Sequence, residues 1–267
     1  MSKPSILVLA ASRSGADDPV ARLKHVSHKC LAPIDGVVML ERVVQTILDS
    51  GVFGQIYVAI ETQELLRSVP ALARWLDEGV IRMAPVRGNL ADSVLAALEI
   101  IDEPFPLFIS TGDNALHTPQ LLRDFAARFA ALKGDVAAGF TTADKVMEDY
   151  PQVGLAYHRL KDGGFSSDNL YALRSPAALK AVRIFEGGGQ FGKRHWRIVK
   201  AFGLWSFILY RFRLATLDEL MARIARNMGI TADTIMLPYS YGPIDVDNIA
   251  FFEISEQALA ARRTGKT

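Results

Sequence analysis

Cysteine occurs once in these 267 residues, at Cys30, which excludes an internal disulfide and suits a reducing compartment. An excess of one charge is missing too. Thirty basic residues face 29 acidic ones for a net charge of +1, so no overall field points to nucleic acid or an anionic membrane. No apolar run reaches the about 20 residues that a spanning helix needs. The stretch after Met1-Ser2-Lys3-Pro4 is too short for a secretory leader, so the expected location is the cytoplasm. No G-x-G-x-x-G fingerprint is present, which argues against an NAD-type fold. The five histidines make no HExxH-type pair, and internal repeats and low-complexity tracts are lacking.

Half of the residues are hydrophobic, enough for a sizeable core, and the length suits one α/β domain with or without a subdomain. Residues 5–11 (SILVLAA) are a continuous apolar run ending in small residues, the pattern of a parallel strand buried on both faces. Residues 56–60, 80–83 and 107–111 read as further strands. Leu40, Val43, Val44, Ile47 and Leu48 recur at helical spacing up to a stop at Gly51. A second helix covers residues 65–76, a third starts at Asn89 or Asp92, and Thr118-Pro119 opens a fourth. This alternation, lasting to residue 133, predicts a parallel sheet with helices on both faces.

Beyond that point the rhythm changes. Residues 135–142, 153–160 and 170–173 read as strands without crossover helices, which predicts antiparallel additions in a β-subdomain over the sheet edge. Ser175-Pro176 starts a helix ending near Gly187. Thr216 and Glu219 form a capping box for a helix that Gly229 stops, and residues 235–237 are a late strand.

Open α/β sheets bind phosphates beyond the carboxyl ends of their strands. The loop after the first strand offers Ser12, Arg13, Ser14 and Gly15, then Arg22, Lys24 and Lys29, which are donors of the kind a triphosphate requires. The following stretch, from His28-Lys29-Cys30-Leu31-Ala32-Pro33-Ile34-Asp35-Gly36 to Met39-Leu40-Glu41-Arg42, is more specific. It resembles the signature of MobA-like NTP transferases, a nucleotidyltransferase family: an L-A-A/G-G strand end, an Arg, and K-x-L-x-P-x-x-G-x-P-x-L. Gly88-Asn89-Leu90-Ala91-Asp92-Ser93-Val94, Thr111-Gly112-Asp113-Asn114, Ser166-Ser167-Asp168-Asn169 and Ile244-Asp245-Val246-Asp247-Asn248 resemble its later segments in order.

The resemblance implies a Rossmann-like GT-A fold: a three-layer αβα sandwich with a mixed, mainly parallel sheet and a small β/α subdomain. It implies one nucleotidyltransferase domain over residues 1–267, with residues about 175–235 as a helical insertion or subdomain. Lys29 and Arg13 correspond to the family's phosphate-gripping Lys and Arg, with Ala10, Ala11, Ser12 and Gly112 around the phosphates. Asn89 and Ser93 fall where the nucleobase is placed, and Asn169 falls on the acceptor side. Asp113 and Asp247, with Asp245 beside them, fall at the Mg²⁺ site. The implied reaction transfers NMP from an NTP to a phosphorylated acceptor, a sugar phosphate or alcohol phosphate, with release of pyrophosphate.

The sequence also departs from the family pattern. The first loop, Ala10-Ala11-Ser12-Arg13, lacks the usual glycine pair, and the spacer to Lys29 is long, so Arg22 can stand in for Arg13. Residues 193–213 form a basic–apolar–basic segment, read first as a buried helix or homodimer contact. A peripheral membrane contact is the other reading, suited to an acceptor of envelope or lipid headgroup synthesis. A GT-A glycosyltransferase and a nucleotide-binding regulatory protein without catalysis are the alternative functions.

Overall fold

The computed structural model describes residues 3–183 and 203–265. β1 (Ser5–Leu9) leads through α1 (Pro19–Leu23) to a hairpin of β2 (Pro33–Ile34) and β3 (Val37–Val38), then to α2 (Met39–Ser50). Next come β4 (Ile56–Ala59), α3 (Gln63–Arg67), α4 (Pro70–Asp77), β5 (Ile81–Ala84) and α5 (Leu90–Leu98). β6 (Leu107–Thr111), α6 (Pro119–Ala131), β7 (Val136–Thr142), α7 (Ala143–Asp149), β8 (His158–Leu160) and β9 (Gly163–Leu173) follow. The remaining elements are α8 (Leu179–Val182), α9 (Leu204–Arg211), α10 (Leu217–Asn227), β10 (Ala232–Met236) and α11 (Ile249–Arg263).

The strands lie in the order β10-β7-β9-β6-β1-β4-β5, with β8 paired to β9. β5, β4, β1 and β6 run parallel, and β7 and β10 form a second parallel pair. β9 is antiparallel to its neighbours β6, β7 and β8. Alternation along β1 sorts the two faces. Ile6 and Val8 pack with Leu40, Val43, Val44 and Ile47 of α2, and with Phe125 and Phe129 of α6. Phe108 of β6 sits among three rings there, with centroids 5.1, 5.9 and 5.2 Å away. Leu7 faces the opposite layer, where Ala91, Val94 and Ala97 of α5 and Val182 of α8 close the core. The result is a three-layer αβα sandwich.

Three expectations change. The helix expected over residues 65–76 is two helices, because Pro70 has no N–H to donate and holds Val69 extended at φ −112°, ψ 115°. The antiparallel strand forms no subdomain over the edge: β9 is inserted between β6 and β7 in the main sheet. Residues 153–157 are not a strand, and pairing begins at His158. Other signals hold. Gly51 ends α2 in the left-handed region at φ 68°, and the Thr216–Glu219 capping box forms.

Ser175-Pro176 opens a 3₁₀ turn before α8, and the expected helix end near Gly187 lies outside the described residues. So do residues 193–202 of the basic–apolar–basic segment. Its described part is half-buried: Ser206 is buried and Leu209 and Tyr210 pack beside Leu217 and Leu220, while Leu204, Trp205 and Phe212 are exposed, as is Leu214 just after it. Among the described residues, no helix is long and apolar enough to cross a membrane.

Candidate active site

The parallel strands β1, β4 and β6 end on one side, so the loops after them converge. Gly112, just beyond β6, donates its N–H to the Leu9 carbonyl at 2.9 Å. A Cβ there would meet Ala10 Cβ at 3.0 Å and Leu40 Cδ1 at 3.4 Å, a tight approach that favours glycine. The turn then presents Asp113. Thr111 Oγ1 donates to Asp113 Oδ1, and the buried Asn114 donates Nδ2 to Thr111 Oγ1 at 2.9 Å, which fixes the carboxylate.

A second segment crosses this turn. Ile244 and Val246 are fully buried under α11, beside Met39, Leu116 and Phe252. Burying alternate residues turns Asp245 and Asp247 the other way. The run is bent rather than extended, since Asp247 N donates to the Asp245 carbonyl at 3.0 Å. Val246 N donates to the Asp113 carbonyl at 3.1 Å, stitching the two segments together. As a result Asp113, Asp245 and Asp247 offer carboxylate oxygens within 4.8 Å of one another.

Lys29, in the 3₁₀ turn Lys29–Leu31, reaches into this cluster. Its Nζ donates to Asp113 Oδ2 at 2.7 Å and to Asp247 Oδ1 at 2.9 Å. Burial alone would lower its pKa, but the two carboxylates reverse that and hold the ammonium charged well above its ordinary range. Asp245 moves the other way: burial, then repulsion from Asp113 and Asp247, pushes its carboxyl up to about 7. Asn169 donates Nδ2 to Asp245 Oδ2 at 3.0 Å from a left-handed backbone at φ 53°, a conformation that asparagine tolerates.

The phosphate-loop candidates divide. Ala10 is buried and its carbonyl accepts from Cys30 Sγ at 3.2 Å, whereas Ala11 is exposed. Burial pushes the Cys30 thiol up to about 12, as befits a packed, unreactive cysteine. The Ser14 and Gly15 N–H groups turn toward Ser12 Oγ, at 3.3 and 2.8 Å. Arg13 is exposed and makes no ion pair among the described residues, while Arg22 is engaged by Asp17 at 2.6 Å. Asn89 and Ser93 are occupied by the start of α5. Asn89 Oδ1 accepts from Asp92 N, and Ser93 Oγ accepts from Arg87 N, both at 2.9 Å.

Glu61 was not among the expected site residues. Its Oε1 accepts from Ser12 N at 2.7 Å, and its Oε2 lies 3.3 Å from His28 Nε2. The signal was available: Glu61 follows the buried run of β4 as Asp113 follows that of β6, at the carboxyl end of a parallel strand. A carboxylate thus already sits on a backbone donor of the loop expected to receive phosphate.

Comparison with known proteins fits this geometry. A hypothetical transferase from Thermus thermophilus superposes with TM-score 0.74 at 23% identity, covering 94% of this chain and 99% of that one. A CMP:2-keto-3-deoxy-manno-octonic acid synthetase complexed with CTP gives 0.60 at 15%, covering 97% and 99%. The 4-diphosphocytidyl-2C-methyl-D-erythritol synthase of Anaerococcus prevotii gives 0.57 at 12%, with the same coverage. At these identities the likeness is one of fold. No curated protein matches the chain. The MobA-like NTP transferase domain matches residues 6–183, and the chain belongs to that nucleotidyltransferase family.

Proposed function

We propose that this member of the MobA-like NTP transferase family transfers a nucleoside monophosphate from an NTP to a phosphorylated acceptor and releases pyrophosphate. The observation that carries the reading is the convergence of Lys29 with Asp113, Asp245 and Asp247 at the ends of parallel strands. Three carboxylates facing one ammonium, with Asp245 held toward its neutral form by burial and then by its acidic neighbours, make an oxygen-rich site short of positive charge. Such a donor set fits a hard divalent cation, which takes one or two carboxylates together with phosphate oxygens. Asp113 and Asp247, with Asp245 beside them, would hold Mg²⁺. When bound, the ion supplies positive charge beside the phosphate oxygens.

The chain's own residues do the rest on this reading. Lys29, permanently charged, exchanges its carboxylate partners for the phosphates of the NTP, and Arg13 reaches the same phosphates from the exposed loop. The N–H groups of residues 12–15 complete the phosphate cradle, with Glu61 releasing Ser12. Asn169, aligned through Asp245, orients the acceptor. An acceptor phosphate is already ionised, so its oxygen attacks the α-phosphorus and the bond to the pyrophosphate oxygen breaks without a general base. The 267 residues act as one domain, and the helical insertion within 175–235 ends before β10, which belongs to the main sheet. An acceptor of envelope or lipid headgroup synthesis suits the apolar residues exposed around α9, flanked by Arg211 and Arg213.

The hydrogen bond from Ser12 N to Glu61 favours a second reading, a nucleotide-binding protein without catalysis. The two readings separate when purified protein is incubated with Mg²⁺, each NTP and a panel of phosphorylated acceptors. Acceptor-dependent pyrophosphate release with one NTP supports the transferase. Saturable NTP binding without release under any pairing supports the second reading.

A further inference from the structure

A cavity of about 450 Å³ opens between α2, the start of α6 and the end of α11, and none of the clustered carboxylates lines it. Its wall includes Asp35, Arg42, Thr46, His117, Arg262 and Arg263. Three guanidinium groups therefore stand against one carboxylate. Arg263 already grips Asp35 with two bonds, Nη2 to Oδ1 at 3.1 Å and Nε to Oδ2 at 3.3 Å. Among the described residues, Arg42 and Arg262 have no acidic partner at hydrogen-bond distance. His117 adds no charge, since complete burial holds its pKa down at about 4.

Both guanidinium groups are held in place. Arg42 Nη2 donates to the Ile34 carbonyl at 3.2 Å, and Arg262 Nη1 donates to the Leu116 carbonyl at 2.8 Å. Arg262 also lies over the Tyr241 ring, 4.2 Å from its centroid. Arg42 Nε is buried and finds no acceptor among the described residues. Arg262 Nη2 makes no hydrogen bond of good geometry, although the Tyr150 hydroxyl lies beside the group. Burial lowers the Arg42 pKa, Asp35 offsets part of this, and the charge of Arg262 lowers it again, so the two guanidinium groups feel each other. Fixed, mutually repelling guanidinium groups on a cavity wall, neither of them bonded to a carboxylate among the described residues, are suited to an oxyanion, which such groups bind by short charge-assisted hydrogen bonds.

We propose that this cavity binds a phosphate-bearing small molecule through Arg42 and Arg262, at a site separate from the carboxylate cluster. Its volume falls within the range of small-molecule sites and leaves room beyond the phosphate group. The site needs no metal, because its wall is cationic. The carboxylate cluster, by contrast, repels phosphate when metal is absent. That difference supplies the test, which stands whether or not the chain transfers a nucleotide.

Pyrophosphate is titrated calorimetrically in EDTA into the wild type and the Arg42→Met, Thr46→Glu and Lys29→Met variants, each checked by thermal melting. Thr46 lies one turn beyond Arg42 on α2, so a glutamate there pairs with Arg42 at helical spacing and fills the cavity with negative charge while favouring the helix. Wild type should bind pyrophosphate saturably. Arg42→Met and Thr46→Glu should each weaken binding by about tenfold or more. Lys29→Met should leave it unchanged. Failure of wild type to bind overturns the proposal, as does loss of binding in Lys29→Met or its retention in both Arg42→Met and Thr46→Glu.

Discussion

Two polar hollows are built around the loop from Asp113 to Thr118, and they are opposite in charge. At its start, three carboxylates face one ammonium. At its end, three guanidinium groups face one carboxylate. The balanced net charge of +1 averages these away, so only the fold reveals fields strong enough to select a ligand. The difference also shows two ways of assembling charge. The acidic hollow is made at strand ends by loops whose apolar residues are buried in alternation. The basic one is made where helix ends meet, with guanidinium groups tied to backbone carbonyls.

The comparison breaks most completely if the acidic hollow carries no function. Asp113→Ala should reduce acceptor-dependent pyrophosphate release by on the order of 10² to 10⁴ in steady-state assays. An unchanged rate would remove Asp113 from the site. Lys29→Met should lower turnover by about 10². Because the ammonium now neutralises Asp113 and Asp247, the same variant should bind Mg²⁺ more tightly without NTP. Weaker Mg²⁺ binding in a calorimetric titration would contradict the competition that this geometry implies.

A smaller effect tests how the loop is held. Gly112→Ala forces a Cβ against Ala10 and Leu40, so it should destabilise the fold by about 1–3 kcal/mol in urea unfolding. No loss of stability would mean that this approach is not tight. An effect seen only as pH changes concerns Asp168, buried where β9 passes Thr141, whose Oγ1 donates to its Oδ1 at 2.8 Å. Burial raises its pKa from 3.8 to about 8, so the folded chain keeps a proton that the unfolded chain releases. Its contribution to stability is complete below the unfolded value and is lost as pH rises toward 8. Asp168→Asn should therefore gain on wild type in melting temperature between pH 5 and pH 8; parallel curves would contradict this.

Much of this was legible in the chain. The apolar runs of β1, β4 and β6 announced strands buried on both faces, and Lys29, Asp113, Asp245 and Asp247 stood out as a motif that the fold assembles. Non-local or contextual features were not legible. Residues 65–76 keep one apolar rhythm through Pro70, and the rhythm hid the break. The place of β9 between β6 and β7 depends on pairings between residues far apart in sequence. The basic hollow joins Arg42 to Arg262, which no local pattern can link. Asn89 and Ser93 matched a binding segment, yet their side chains serve the start of α5. Glu61 went unread because no family segment matched it, and only its place after β4, the same as that of Asp113 after β6, could have pointed to it.

The central claim is transfer of a nucleotide to a phosphorylated acceptor at the Lys29 cluster, and label tracing tests it most directly. Each NTP, labelled at the α-phosphate, is incubated with Mg²⁺, an acceptor panel and either wild type or Asp113→Ala. The account predicts that wild type moves the label from one NTP into an acceptor-linked diphosphate, while unlabelled pyrophosphate leaves and the variant transfers little. Label recovered only as free NMP or NDP, or equal transfer by the variant, would contradict it.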